Sequence, residues 1–334
     1  MKIRVNPEWV AVAAAGAGVW IASAFLEEYV SSYLVGILIY IAINSILAIS
    51  LNLISGYTGQ FALGHAGFMA VGAYASAILE MKVGVPFPIA FLSGGLLAAA
   101  LGFVVGFPTL RLKADYLAIV TLGFNQIILI VLYNMETLAG GARGLPGVPL
   151  RTTLPLTLTV LFITVWLFRN LLESKHGFFF RSIRENEIAA ESIGINSTYT
   201  KVAAFTIGSF FAGIAGSLLG HYLMYLNPDI FSYTKSVEIL SMVIFGGLMS
   251  ITGSILGAAV LTLIPEVFRN LGTILSDAGF VALGSFFREG WTVIYSLLLI
   301  LTMLFKPRGL FGQQELTAKW LGSFWPGKRS AIGR

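Results

Sequence analysis

Two stretches of the chain hold residues that could do chemistry. The first, SGYTGQFALGHAGFMAVGAYASAIL, runs from Ser55 to Leu79 and carries no acidic or basic residue apart from His65. Tyr57, Gln60 and His65 sit in it among five glycines, Gly56, Gly59, Gly64, Gly67 and Gly72. Polar atoms in lipid are costly unless they face a bundle interior or a cavity, so these three side chains are expected to point inward. The glycines remove side chains where backbones approach or bend. With Asn125 and Gln126 from a later apolar run, the stretch offers a few hydrogen-bonding groups along an otherwise apolar path. The plainer alternative is that His65 only ties two helices together.

The second stretch, FRSIRENEIAAESIGINSTYTKVAAF, runs from Phe180 to Phe205. Residues 182–193 suit one short amphipathic helix. Ile183, Ile188 and Ala190 alternate there with Arg184, Glu185 and Glu187, and Gly194 is placed to cap its end. Such a helix either stays a solvated loop element or presses into a groove on a partner and transmits its motion.

Other chemistries find no support. The chain has no cysteine, so it forms no disulfide and no thiolate site. No His, Asp and Glu set has metal-ligand spacing, and no Ser-His-Asp arrangement can be argued. GSFWPGKR (322–329) nearly spells a phosphate-binding loop, but Arg329 stands where Ser or Thr would hold magnesium and no strand precedes it, so it reads as a basic tail. Asn196–Thr198 matches a glycosylation sequon that would be idle on the cytoplasmic side.

The elements that must position these residues are membrane helices. The 334 residues are 57% hydrophobic and only 11% charged, where soluble domains carry about 25% charged residues. Long continuous apolar runs argue for helical spans, not the short alternating strands of a barrel. The runs fall near 9–26, 30–52, 60–79, 87–107, 116–133, 154–168, 202–226, 237–249, 253–268 and 291–305. The first is longer than a signal-peptide core and lacks a clear cleavage site, so it reads as a retained span.

Charge sets the orientation. With the N-terminus inside, Lys2, Arg4, Arg111, Lys113, Arg169, Lys175, Arg181, Arg184, Lys201, Lys306, Arg308, Lys319, Lys328, Arg329 and Arg334 are all cytoplasmic. Of the 21 Lys and Arg, only Lys82, Arg143, Arg151, Lys235, Arg269 and Arg288 fall outside. The formal net charge of +5 is explained by this bias and needs no nucleic-acid partner. The same rule splits 237–268 at 250–253, because one long helix there would put the basic tail outside. Its halves are short, either a re-entrant hairpin or two short spans. The expected architecture is therefore an all-α bundle of eight long spans plus this pair. One transmembrane domain covers 1–312, with a cytoplasmic loop at 169–201 and a basic cytoplasmic tail at 313–334. Small-xxx-small pairs (Gly102 and Gly106, Gly216 and Gly220, Gly253 and Gly257) point to tight helix packing.

Four stretches carry a family resemblance: LNLISGYTGQFALGHAGFMAVGAY (51–74), ADYLAIVTLGF (114–124), RENEIAAESIGINSTYTKVAAFTIGSFFAGIAGSL (184–218) and IFGGLMSITGSILGAAVLTLIPE (244–266), closed by KPRGLFG (306–312). The chain resembles the permease subunits of branched-chain amino acid ABC importers, most of all the second permease of the heteromeric pair. The resemblance implies a subunit of an inner-membrane importer, not an enzyme. Its implied partners are a second homologous permease, two cytoplasmic ATP-binding subunits and a periplasmic or extracellular substrate-binding protein. ATP and magnesium would bind to the partner subunits, and this chain would hold no cofactor. It further implies that the region of Arg184, Glu187, Ala189, Ala190, Glu191 and Gly194 docks on the ATPase, although EIAAESIG carries an Ile inside the family's usual run. An apolar zwitterion would then cross past Tyr57, Gln60, His65, Asn125 and Gln126. Permeases for urea and short-chain amides are closely similar, so the substrate stays open between these classes. An ion-coupled transporter would need acidic residues in mid-membrane, whereas Asp115, Glu238, Glu266 and Glu289 are expected near span ends.

Overall fold

The computed structural model describes residues 29–109 and 114–277 without a break, with scattered positions in 16–27 and 280–305. The expected first span (9–26), last span (291–305) and basic tail lie largely outside the described residues. Within them the chain is helical. α1 (Ser32–Asn52) continues through a π turn (Leu53–Tyr57) into a loop. α2 (His65–Ile78), α3 (Phe87–Thr109) and α4 (Ala114–Asn134) follow. After a short helix, α5 (Glu136–Ala139), and a two-residue strand, β1 (Leu145–Pro146), comes α6 (Leu154–Glu173). α7 (Lys175–Glu185) and α8 (Glu187–Ser192) lead into α9 (Ser197–Leu223) and β2 (Tyr225–Leu226). α10 (Tyr233–Gly246) and α11 (Ile251–Asp277) form a hairpin.

Seven described helices are long and apolar enough to cross a membrane. Six coincide with expected long spans. The seventh is α11, which corrects an expectation. The break in 237–268 falls at 247–250, but its second arm runs to Asp277 as 27 residues instead of a short half. The polar residues Arg269, Asn270 and Thr273 end the apolar run without ending the helix. The first arm, α10, is only 14 residues.

Backbone contact holds the bundle centre. A Cβ on Gly72 of α2 would lie 2.1 Å from the carbonyl oxygen of Gly213 on α9, and one on Gly216 would lie 1.9 Å from that of Met69. Ser217 donates a hydrogen bond to the carbonyl of Gly72 at 3.0 Å across this seam. A second seam joins α10 and α11, where a Cβ on Gly257 would lie 2.2 Å from the carbonyl oxygen of Met242. Lipid tails are as apolar as leucine, so such close van der Waals packing replaces the hydrophobic drive of soluble cores.

Asn186 divides the segment between α6 and α9. Its backbone is extended (φ −159°, ψ 109°), and its side chain accepts from the backbone N–H of Ala189 at 3.1 Å. The expected single helix over 182–193 is therefore two helices. An N-cap asparagine satisfies a free amide only where the preceding helix has stopped.

Candidate functional site

The inward-facing polar residues of the first stretch do not form one cluster. Tyr57 is buried and donates to the carbonyl of Met249 at 2.7 Å, with the Arg181 guanidinium 5.9 Å from its ring centre. His65 is buried at the start of α2, with its Nε2 2.8 Å from the Ser50 hydroxyl on α1. This is the helix-tying arrangement. Gln60 is buried with neither side-chain atom hydrogen-bonded.

Asn125 is fully buried. Its amide nitrogen reaches the carbonyl of Phe231 at 3.4 Å, and its oxygen has no partner. Gln126, beside it on α4, is half-buried. The segment before α10 runs inward past Tyr133, which bonds Asp229, to Asn125. α10 then starts against the start of α2, where the Ala66 N–H donates to the Ser236 hydroxyl at 3.0 Å. Lys235 consequently lies deeper than an external loop residue would, 3.3 Å from Asn44 of α1 and 3.1 Å from Glu238. Short helices that begin inside a bundle are a recurring device of transport pathways.

The 247–250 turn is strained and held. Met249 has φ +67°, a conformation rare outside glycine. Asn52 accepts from the Met249 N–H at 3.0 Å and donates to the Ser250 carbonyl at 3.0 Å and the Ser254 hydroxyl at 2.8 Å. Sequence reasoning passed over Asn52. The signal for it was a carboxamide at the end of an apolar run, which has to find buried partners.

The α7–α8 segment is tied to α9 through a carboxylate. Glu187 bonds Ser197 and Lys201. Partial burial pushes its carboxyl up, but the hydrogen bonds from Lys201 and Ser197 and the lysine charge outweigh this and hold it below the usual range. Ala190 packs with Ile183 and Ile195 in a small separate core, while Ala189 and Glu191 are exposed. Gly194 ends the unit at φ +89°, with open space where a Cβ would sit. Arg184 is not on the helix of Glu187 and Glu191, as one continuous helix would have placed it. It belongs to α7 and lies against Gly59. On their outer faces Phe178, Ile188 and Ile193 are 60%, 79% and 70% exposed.

The other end of the bundle carries a cluster that sequence reasoning missed. Glu80 meets Arg151 at 2.8 Å and His221 at 2.9 Å. His221 is fully buried, and its Nδ1 lies 2.8 Å from the carbonyl of Ser217. The three residues are far apart in sequence and share no motif. An acid and a histidine inside apolar runs were the available signal. Among the described residues no group of three His, Cys, Asp or Glu is placed to hold a metal.

Residues 33–305 match the family model described as branched-chain amino acid transport system / permease component. The high-affinity branched-chain amino acid transport system permease protein LivM of Salmonella typhimurium is 32% identical over 299 residues, covering 79% of this chain and 67% of the relative. The LivH permease protein of the same organism is 22% identical over 299 residues, covering 81% and 92%. A probable branched-chain amino acid transport permease protein LivM of Methanocaldococcus jannaschii is 26% identical over 327 residues, covering 84% and 93%. No solved structure matches the chain.

Proposed function

Since the chain belongs to the permease components of branched-chain amino acid transport systems, we propose that it is the LivM-type half of a paired permease that imports branched-chain amino acids across the inner membrane. It works with a second permease, two cytoplasmic ATP-binding subunits and an external binding protein. Both termini and the 169–201 loop are cytoplasmic. The observation that carries the reading is the α7–α8 unit. It is tied to the long helix α9 through Glu187, yet turns Phe178, Ile188 and Ile193 to the outside. Apolar residues of that size on a charged segment are explained by a protein that covers them. An ATPase bound there would move α9 through the Glu187 clasp, so closure of the ATPase pair would switch the bundle between outward and inward access.

Arg184, Ala189, Ala190, Glu191 and Gly194 shape that contact in this reading, and Gln60 and Asn125 lie on the path. Tyr57 and His65 support it through the bonds they make. Nucleotide and magnesium bind on the partners. The test is reconstitution of the complete complex with a loaded binding protein. ATP-driven accumulation of leucine, absent when this chain is present alone, is the expected result. Accumulation of urea or acetamide in place of leucine would move the assignment to the amide importers.

A further inference from the structure

A cavity of about 290 Å³ lies between the loop after α1, the start of α4 and the α7–α8 unit. It is at the small end of ligand sites, which run from about 300 Å³. Its lining includes the Glu187–Lys201 pair, and two of its other polar groups are unsatisfied. Gln60 is buried and offers a free amide N–H and a free carbonyl. Arg184 brings a buried Nη1 that has no hydrogen-bond partner. Gly59, at φ +71°, makes the room: the Cγ of Arg184 lies 3.1 Å from where its Cβ would be. Among the described residues Arg184 has no carboxylate within salt-bridge distance, and Glu187 pairs with Lys201. Glu185 adds a carboxylate to the wall, and Leu117 and Ile183 add an aliphatic surface.

We propose that this cavity is an exit-side site for a zwitterionic aliphatic amino acid, the transported class itself, bound from the cytoplasm. Arg184 and the Gln60 N–H take the carboxylate. Glu185 and the Gln60 carbonyl take the ammonium. Leu117 and Ile183 take the side chain. Each free group then has a partner of the right sign, and a partly buried guanidinium gains its anion. The bound molecule bridges the loop that feeds α2 to the segment that meets the ATPase. Its accumulation inside the cell therefore holds the two together and slows further import. This inference rests on the proposed transport reading.

The test uses the complete complex in nanodiscs without binding protein, titrated with radiolabelled leucine by equilibrium dialysis. Saturable binding is expected, displaced by isoleucine but not by isoamylamine or isovalerate, each of which lacks one charge. Inorganic phosphate that displaces leucine as well as isoleucine does would reduce the site to an anion trap and overturn the zwitterion. Gln60→Leu and Arg184→Gln should each weaken binding about tenfold or more, equivalent to about 1.4 kcal/mol. In proteoliposomes, internal leucine should slow tracer uptake by the unmodified complex. In Arg184→Gln, the ratio of rates with and without internal leucine should return toward one, whatever its own basal rate. ATP-driven uptake without saturable binding, or binding that both variants leave unchanged, overturns the exit site while the transport reading stands. Absence of both uptake and binding overturns the reading beneath it.

Discussion

The helix α9 ends in two carboxylate clusters of opposite character. At its C-terminal end Glu80, with a side chain 8% exposed, is shared between Arg151 and the fully buried His221. At its N-terminal end Glu187, with a side chain 46% exposed, is shared between Lys201 and Ser197. The first ties a buried histidine and a nearly buried carboxylate to Arg151, whose side chain is 54% exposed. The second is a clasp on the surface, next to a cavity whose amide and guanidinium are unsatisfied. Burying a polar network is tolerable only when every member is paired, and the result is rigid. An exposed clasp contributes little to stability and can be remade in another geometry. One end of α9 is therefore built as a lock, and the other has the build that the proposed lever needs.

The sharpest way to break this comparison is to invert its sides. The chain has no native cysteine, so Ala142→Cys and Lys175→Cys, both at exposed positions, can be probed singly with an impermeant thiol reagent in intact cells. Labelling at position 142 and none at 175 is expected. The reverse would put the clasp outside and end the lever reading.

Next in size is the middle of α9, on which both ends depend. Gly72→Val places a Cβ 2.1 Å from the Gly213 carbonyl oxygen, a main-chain atom that no rotamer change can clear. The cost should reach or pass the ~3 kcal/mol usual for overpacking. The variant should fail to accumulate as a monodisperse protein, whereas Gly123→Ala, on α4 with open space and no positive φ, should accumulate normally.

Glu80→Leu is a smaller lesion confined to the lock. It leaves His221 buried without its carboxylate, so a loss of about 1–3 kcal/mol is expected, read as a lowered melting temperature in detergent. A melting temperature equal to that of the unmodified chain would mean that the outer network is not a lock.

How much of this was legible in the sequence follows the same division. Apolar run length, a local property, placed six of the seven described spans; charge parity called for a break in 237–268, which falls at 247–250 instead of 250–253 and leaves a 27-residue second arm. Glycine spacing marked the tight seams and the glycine-rich stretch marked Gly72, although its partner Gly213 was found only by packing. The helices are apolar nearly all round, so periodicity could not say which face of α1 holds Asn52 or which of α9 holds His221. Partners such as Glu80 and His221, or Asn52 and Ser250, are set by tertiary contact alone. Asn186 was readable as an N-cap, but the amphipathic pattern on either side of it spelled one helix and masked the break.

On the lever side the effects should be smaller in stability and larger in coupling. Gly194→Val puts a β-branched residue at φ +89°, where strain of about 1–3 kcal/mol is expected without any clash. That strain can be relieved by tilting α8, which has few contacts of its own. The melting temperature of the complex should barely move, while ATP hydrolysis stimulated by loaded binding protein should fall. Full stimulation and full uptake would make the segment a passive linker.

The mildest change is at Glu187 itself. Glu187→Gln keeps the shape and a hydrogen bond to Ser197 but removes the charge that holds Lys201. The carboxylate is nearly half exposed, so solvent screens the pair and no more than about 1 kcal/mol of stability should depend on it. The pH dependence has a definite sign. The folded-state pKa of Glu187 lies below its ordinary value, which is about 4.3 in unfolded chains. Its stabilisation is thus fully present above that value and lost as pH falls through the lower folded one. Amide hydrogen exchange over 187–200 should stay flat from neutral pH to about pH 5, after correction for intrinsic rates, and rise only below the ordinary Glu range. In Glu187→Gln the same amides should exchange faster from neutral pH to about pH 5, the gap closing as pH falls through the lowered folded value, and added salt should narrow it. If the substitution instead lowers the melting temperature as much as Glu80→Leu does, the two ends of α9 are alike, and the lever must lie elsewhere in the chain.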